Sequence, residues 1–138
     1  MKKTILIFVL LISYLGFSQE DAWVYFKDKP NSQYYFENPL QMLSQRALDR
    51  RITQKIPLDI LDIPIHQAYI DQITATAGIT VKAKSKWLNC LHIRGSQLNI
   101  QALSLLSFVD HVSFANRTLN VSGRFSNPTT FNYANKVL

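Results

Sequence analysis

The sequence predicts an α+β domain of ferredoxin-like pattern: an antiparallel sheet with helices on one face, and an additional helix inserted after the first strand. Three observations carry that expectation. Four segments have strand character, two segments between them repeat apolar residues at the period of a helix, and the chain order is strand, helix, strand, strand, helix, strand. With 138 residues the chain has room for one domain and one modest core.

The first strand is read over residues 22–27, where aromatic and branched residues end at the turn Asp28-Lys29-Pro30-Asn31. Asn38 followed by Pro39 marks a helix start, and Leu40, Leu43, Ala47 and Arg51 recur at helical spacing to about Gln54, ahead of Pro57. This is the inserted helix. Pro57 and Pro64 bracket an extended segment, and Tyr69, Ile70, Ile73 and Ala77 then mark a helix ended by Gly78. Ile79, Val81, Ala83 and Ser85 alternate with Thr80, Lys82, Lys84 and Lys86, which predicts a strand with an apolar face, continued by Trp87, and a lysine face. Residues 90–94 form the third strand, closed by Gly95. Ser96 suits the N-cap of a helix over 97–106 with Leu98, Ala102 and Leu105 at helical spacing, and 108–115 alternates as the fourth strand.

The ends of the chain read differently. Lys2 and Lys3 precede an apolar run from Ile5 to Leu15, and Gly16 and Ser18 follow, so residues 1–18 are expected to be a signal peptide cleaved to leave Gln19 first. The run is shorter than the ~20 residues that cross a bilayer. The expected destination is secreted or periplasmic, with no membrane contact after cleavage. Residues 120–138 are polar, with Gly123 and Pro128, and read as a linker that leaves 19–119 as the domain.

Loss of Lys2 and Lys3 lowers the formal charge from +6 to +4, a mild surplus without a basic run. It suits an acidic partner surface better than nucleic acid. A sheet of this pattern can bind RNA through stacked aromatics, but the third strand lacks the aromatic pattern that does so. Cys90 is the only cysteine and excludes an internal disulfide; among Leu88, Leu91 and Ile93 it is expected to be a buried structural thiol.

No catalytic constellation is legible. None of the four glycines places a serine in a strained elbow, and His66, His92 and His111 are expected to be surface or packing residues. No metal-ligand spacing or phosphate loop occurs, so no cofactor is expected. Two readings remain for the exposed residues, a solvated basic face or a surface that docks an acidic partner, the latter with Trp23, Tyr25, Lys82, Lys84, His92 and Arg94 as the open face of the sheet. Arg46, Arg50, Arg51 and Lys55 add a basic stretch in the inserted helix.

Four phrases bear on family. They are Ser44-Gln45-Arg46-Ala47-Leu48-Asp49-Arg50-Arg51, then Asp62-Ile63-Pro64-Ile65 with Tyr69, then Ser85-Lys86-Trp87-Leu88-Asn89, then Phe108-Val109 with Val112. In this order, over roughly 23–119, they resemble the N-terminal propeptide of secreted bacterial subtilisin-like serine proteases. The resemblance implies the ferredoxin-like fold, a subtilisin-like protease domain as partner in cis or in trans, and a role as intramolecular chaperone and inhibitor. It also implies a downstream catalytic domain whose aspartate, histidine and serine motifs are missing here. The chain is therefore expected to be a fragment, a truncated product or a free-standing inhibitor without peptidase activity of its own. Phe114, Ala115, Asn116, Arg117, Thr118 and Leu119 are expected to run from the last strand as an extended tail into the protease's cleft, while the open face docks on its body. The competing expectation is an exported structural or adhesive domain with no protease partner.

Overall fold

Four strands, β1 (Gln19–Phe26), β2 (Ile79–Ser85), β3 (Cys90–Ser96) and β4 (Val109–Phe114), make one antiparallel sheet in the order β2-β3-β1-β4. They belong to a computed structural model that describes residues 18–120. The expected signal peptide and linker fall, but for Ser18 and Asn120, outside the described residues. Four helices accompany the sheet: α1 (Ser32–Glu37), α2 (Gln45–Gln54), α3 (Gln67–Thr74) and α4 (Gln97–Ala102). The ferredoxin-like expectation is borne out, with α1 and α2 forming the insertion between β1 and α3.

Alternation in β1 builds the core. Ala22, Val24 and Phe26 are buried, and they meet Leu91 and Ile93 of β3 and Val109 of β4 beneath Ile73 of α3 and Ile100 of α4. Each of the larger side chains, Ala22 excepted, contributes about 1.5–3 kcal/mol relative to leaving it in water. Neither α1 nor α2 contains a buried residue, so the insertion adds little to this core.

Four local expectations need correction. The inserted helix does not run from Pro39: a 3-10 turn spans Pro39–Gln41, and α2 starts anew at Ser44, whose hydroxyl accepts the Ala47 N–H at 3.3 Å. It ends at Gln54 as expected, stopped by Lys55 in the left-handed region ahead of Pro57. The segment expected to be extended between the prolines contains a 3-10 turn, Ile60–Asp62, closed by a capping box between Asp59 and Asp62. In α4 and the 3-10 turn after it, Leu103–Leu105, Ile100 and Leu103 face the sheet, while Leu98 and Leu105 are 78% and 87% exposed. Ser96 does cap α4, accepting the Asn99 N–H.

The fourth correction concerns β2. A bulge at Lys82 leaves Val81 opposite Ile93 but Ala83 opposite His92, and one extra residue reverses every later side chain. Ala83 is consequently exposed instead of lying on the apolar face. Trp87 lies beyond the strand, in the turn to β3, and is 68% exposed. Its expected burial fails for that reason.

The phrases that carried the resemblance meet at one end of the sheet. Arg51 of α2 pairs with the buried carboxylate of Asp62. The Lys29 ammonium, itself buried, donates to the carbonyls of Ile60, Ile63 and Lys86 at 2.9, 2.7 and 2.6 Å. Asn89, left-handed at φ 50°, donates its side-chain amide to the carbonyls of Phe26 and Asp28. Tyr69 stacks on Phe108 at 4.3 Å and donates its hydroxyl to Asp28. The insertion, the β2–β3 turn and the exit of β1 are thus tied by polar bonds where apolar burial is thin.

Candidate functional site

The helices cover one face of the sheet and leave the other to the strands' polar and aromatic residues. Register fixes who meets there. Asp21, Trp23 and Tyr25 of β1 stand opposite Arg94, His92 and Cys90 of β3, and Trp23 and Tyr25 stand opposite Ser113 and His111 of β4. The imidazole of His92 stacks on Trp23 with centroids 4.7 Å apart, and that of His111 stacks on Tyr25 at 4.3 Å. A bulge at Asp110 shifts the register of β4 and sets His111 against Tyr25.

Charge on this face is paired. Arg94 grips Asp21 with two nitrogens, Nε to Oδ1 at 3.1 Å and a terminal nitrogen to Oδ2 at 2.6 Å, and His92 Nε2 lies 3.1 Å from Oδ1. The Arg94 guanidinium holds the Asp21 carboxyl below its usual range. Burial raises the Tyr25 phenol and pushes the Cys90 thiol up to about 11. Cys90 is fully buried, as expected of a structural thiol, and its raised pKa withholds the thiolate needed for nucleophilic or redox chemistry.

Of the six residues expected on the open face, the structure brings Trp23, Tyr25, His92 and Arg94 together. Lys82 is the exposed bulge residue at the β2 edge, and Lys84 falls opposite Leu91, in the register of the helix-covered face. Asp21, His111 and Ser113 complete the surface and were not anticipated there. The signal for Asp21 was present in the alternation Asp21, Trp23, Tyr25 against Ala22, Val24, Phe26. Of the basic stretch on α2, Arg46 and Arg50 are exposed, but Arg51 turns inward to Asp62.

Residues 114–119 are not an extended tail. Phe114 is buried in the core, and the Ala115 N–H donates to Asp21 O at 2.8 Å, adding one more rung beyond β4. Asn116 then caps a 3-10 turn, Arg117–Leu119, through the Thr118 N–H and hydroxyl, and Leu119 packs against the core. Asn120 closes the turn, accepting the Phe114 N–H at 2.8 Å and donating to its carbonyl at 3.1 Å. The short polar side chains of Asn116 and Asn120 replace the strand's missing partner, and that is why the chain folds back. Ala115, Asn116, Arg117 and Thr118 are exposed on this turn.

Among the described residues, no three histidine, cysteine or acidic side chains gather in a way that could hold a metal ion. Nor, among them, is any helix long and apolar enough to cross a membrane. The open face is thus an aromatic and ion-paired surface carried on the sheet.

No curated protein and no solved structure matches the chain. The family model described as the peptidase S8 propeptide domain of Bacteroidota matches residues 21–132, which takes in the insertion and all of the sheet but the first two residues of β1. Peptidase S8 propeptides belong to secreted subtilisin-like proteases, and the partner implied is such a protease domain. With that match over most of its length, the chain belongs to the peptidase S8 propeptide family of Bacteroidota.

Proposed function

We propose that the chain is the intramolecular chaperone and inhibitor of a subtilisin-like serine protease domain, in cis or in trans. The observation that carries this reading is the sheet face that no helix among the described residues covers, with Trp23, Tyr25, His92 and Arg94 assembled on it. Rigid aromatic rings and a pre-paired Asp21–Arg94 ion pair lose little conformational freedom on docking, the property of an interface's central contacts.

Lys82, at the bulge, borders this contact; Lys84, in the register of the helix-covered face, takes no part in it. The turn from Phe114 to Leu119 acts as the hinge from which the following residues enter the substrate cleft. There the segment competes with substrate for the cleft. Docking of the face templates the protease's fold, and the segment in the cleft silences it. Residues 1–18 direct export and are removed after Ser18, so the domain meets its protease outside the cytoplasm. Hydrolysis belongs to the protease domain.

The test is a refolding and inhibition assay with a denatured subtilisin-like catalytic domain from Bacteroidota. The 138-residue chain should raise the yield of refolded protease and then inhibit it, while a version ending at Asn120 keeps the fold and loses most of the inhibition. Equal inhibition by both versions excludes the cleft mechanism. No effect of either on yield or activity excludes the protease partner and favours a structural or adhesive domain.

A further inference from the structure

The β2–β3 turn lies at the end of the sheet opposite the exit of β4. Phe114 pairs with Ala22 and the Ala115 N–H reaches Asp21, whereas Asn89 at the far end accepts the Phe26 N–H at 2.9 Å. Asp21 stands opposite Arg94, five residues along β3 from Asn89, so the two places lie about 16 Å apart. At this far end the chain leaves Trp87 68% and Leu88 53% exposed, side by side.

Single exposed apolar residues are common on protein surfaces and by themselves signify nothing. This pair is held differently. On one flank the Lys86 carbonyl accepts the buried Lys29 ammonium at 2.6 Å, and the Lys86 ammonium donates to Asp62 O at 3.3 Å. Within the turn the Leu88 N–H donates to Ser85 Oγ at 3.3 Å. On the other flank Asn89 is locked in its left-handed conformation by two carbonyls. These bonds fix the backbone of the turn and leave its two large side chains pointing away from any core. Binding by such a turn loses little entropy, and a tryptophan so presented is the residue type most enriched among dominant interface contacts.

We propose that the Lys86–Asn89 turn is a second anchor for the protease domain, seating Trp87 and Leu88 in an apolar recess on that domain at the end of the sheet remote from the cleft. The inference rests on the reading that the open face docks on a protease. The occupant follows from continuity: Ser85 and Cys90, which flank the turn, pair with each other, and Cys90 stands opposite Tyr25 on the open face. A body covering Tyr25 and His111 extends naturally past the end of the strands onto the turn. The face would then be held at both ends, by the turn at one and the cleft-bound segment at the other, which fixes orientation as well as position.

The experiment compares inhibition constants of the 138-residue chain and three variants. The probe is a Bacteroidota subtilisin-like catalytic domain freed of its own propeptide, chosen because that propeptide carries the same Ser-Lys-Trp-Leu-Asn turn. Trp87→Ala should weaken inhibition ~30-fold or more with an unchanged melting temperature, the size of effect that a dominant interface residue gives. Leu88→Ala should weaken it less. The double variant Leu98→Ala/Leu105→Ala, which removes apolar surface equally exposed but on the helix layer, should stay within about twofold of wild type, as surface changes outside an interface do. Equal inhibition by Trp87→Ala and wild type overturns the inference while leaving the docking face intact. So does an equal loss in the helix-layer variant, or a Trp87→Ala effect confined to self-association in sedimentation, which assigns the turn to a second copy of the chain. If the wild-type chain binds no catalytic domain at all, the docking reading itself falls and takes the inference with it.

Discussion

Cys90, Lys29 and Trp87 each owe their chemistry to what surrounds the side chain. Cys90 was legible as a buried thiol because its neighbours are apolar, and with its pKa near 11 it should not react with a thiol reagent at pH 8 until urea unfolds the chain. Prompt labelling of the folded chain would contradict that. Lys29 was not legible, since nothing local marks a lysine as buried and its three acceptors come from residues 60, 63 and 86. Each carbonyl left without a donor in such a site costs about 1–3 kcal/mol, so Lys29→Met should lower the unfolding free energy measured in urea clearly. Trp87 misled in the opposite direction. Tryptophan after an alternating run predicts burial, but the strand had already ended at Ser85. Trp87→Ala should therefore change stability by no more than about 0.5 kcal/mol, the range of ordinary surface substitutions, whereas Leu91→Ala should cost ~2–5 kcal/mol.

At the scale of elements, periodicity located every strand and the two covering helices, because alternation and helical spacing are direct records of burial. It failed where one extra residue or one rotated face intervenes. The bulge at Lys82 cannot be seen in a pattern that alternates perfectly through it, and so Lys84 was placed on the wrong face. In α4 the stripes Leu98, Ala102, Leu105 and Ile100, Leu103 are both apolar, and only packing against Val24 and Ile93 in the shared core chooses between them. Glycine at 95 was read as a strand end but has a steric purpose inside β3. A Cβ there would lie 2.6 Å from the Gly78 carbonyl oxygen and 2.8 Å from Ile79 Cδ1, so the start of β2 can approach only a bare backbone. Gly95→Ala should accordingly destabilise the domain by ~1–3 kcal/mol, the usual cost of overpacking. A melting curve unchanged by the substitution would show that this end of the β2–β3 pair is free to move apart.

For the whole molecule, the phrases that mark the family have a structural cause. Arg51, Asp62, Tyr69, Asn89 and Phe108 hold the insertion, the hairpin turn and the strand exits together; they are framework rather than contact. The open face was legible in part, through Trp23, Tyr25, His92 and Arg94, because strict alternation in β1 and β3 sends them all one way. His111 escaped because the bulge at Asp110 decides its partner, and the tail escaped because Asn116 and Asn120 fold it back through side-chain bonds that no periodicity records. The central claim is that a subtilisin-like protease domain covers this face. The most direct measurement is the inhibition constant of the double variant Trp23→Ala/Tyr25→Ala against the catalytic domain, with folding of the variant checked by its retained circular dichroism. Docking through the face predicts a loss of ~30-fold or more, as for paired central contacts; inhibition unchanged from wild type in a folded variant would contradict it.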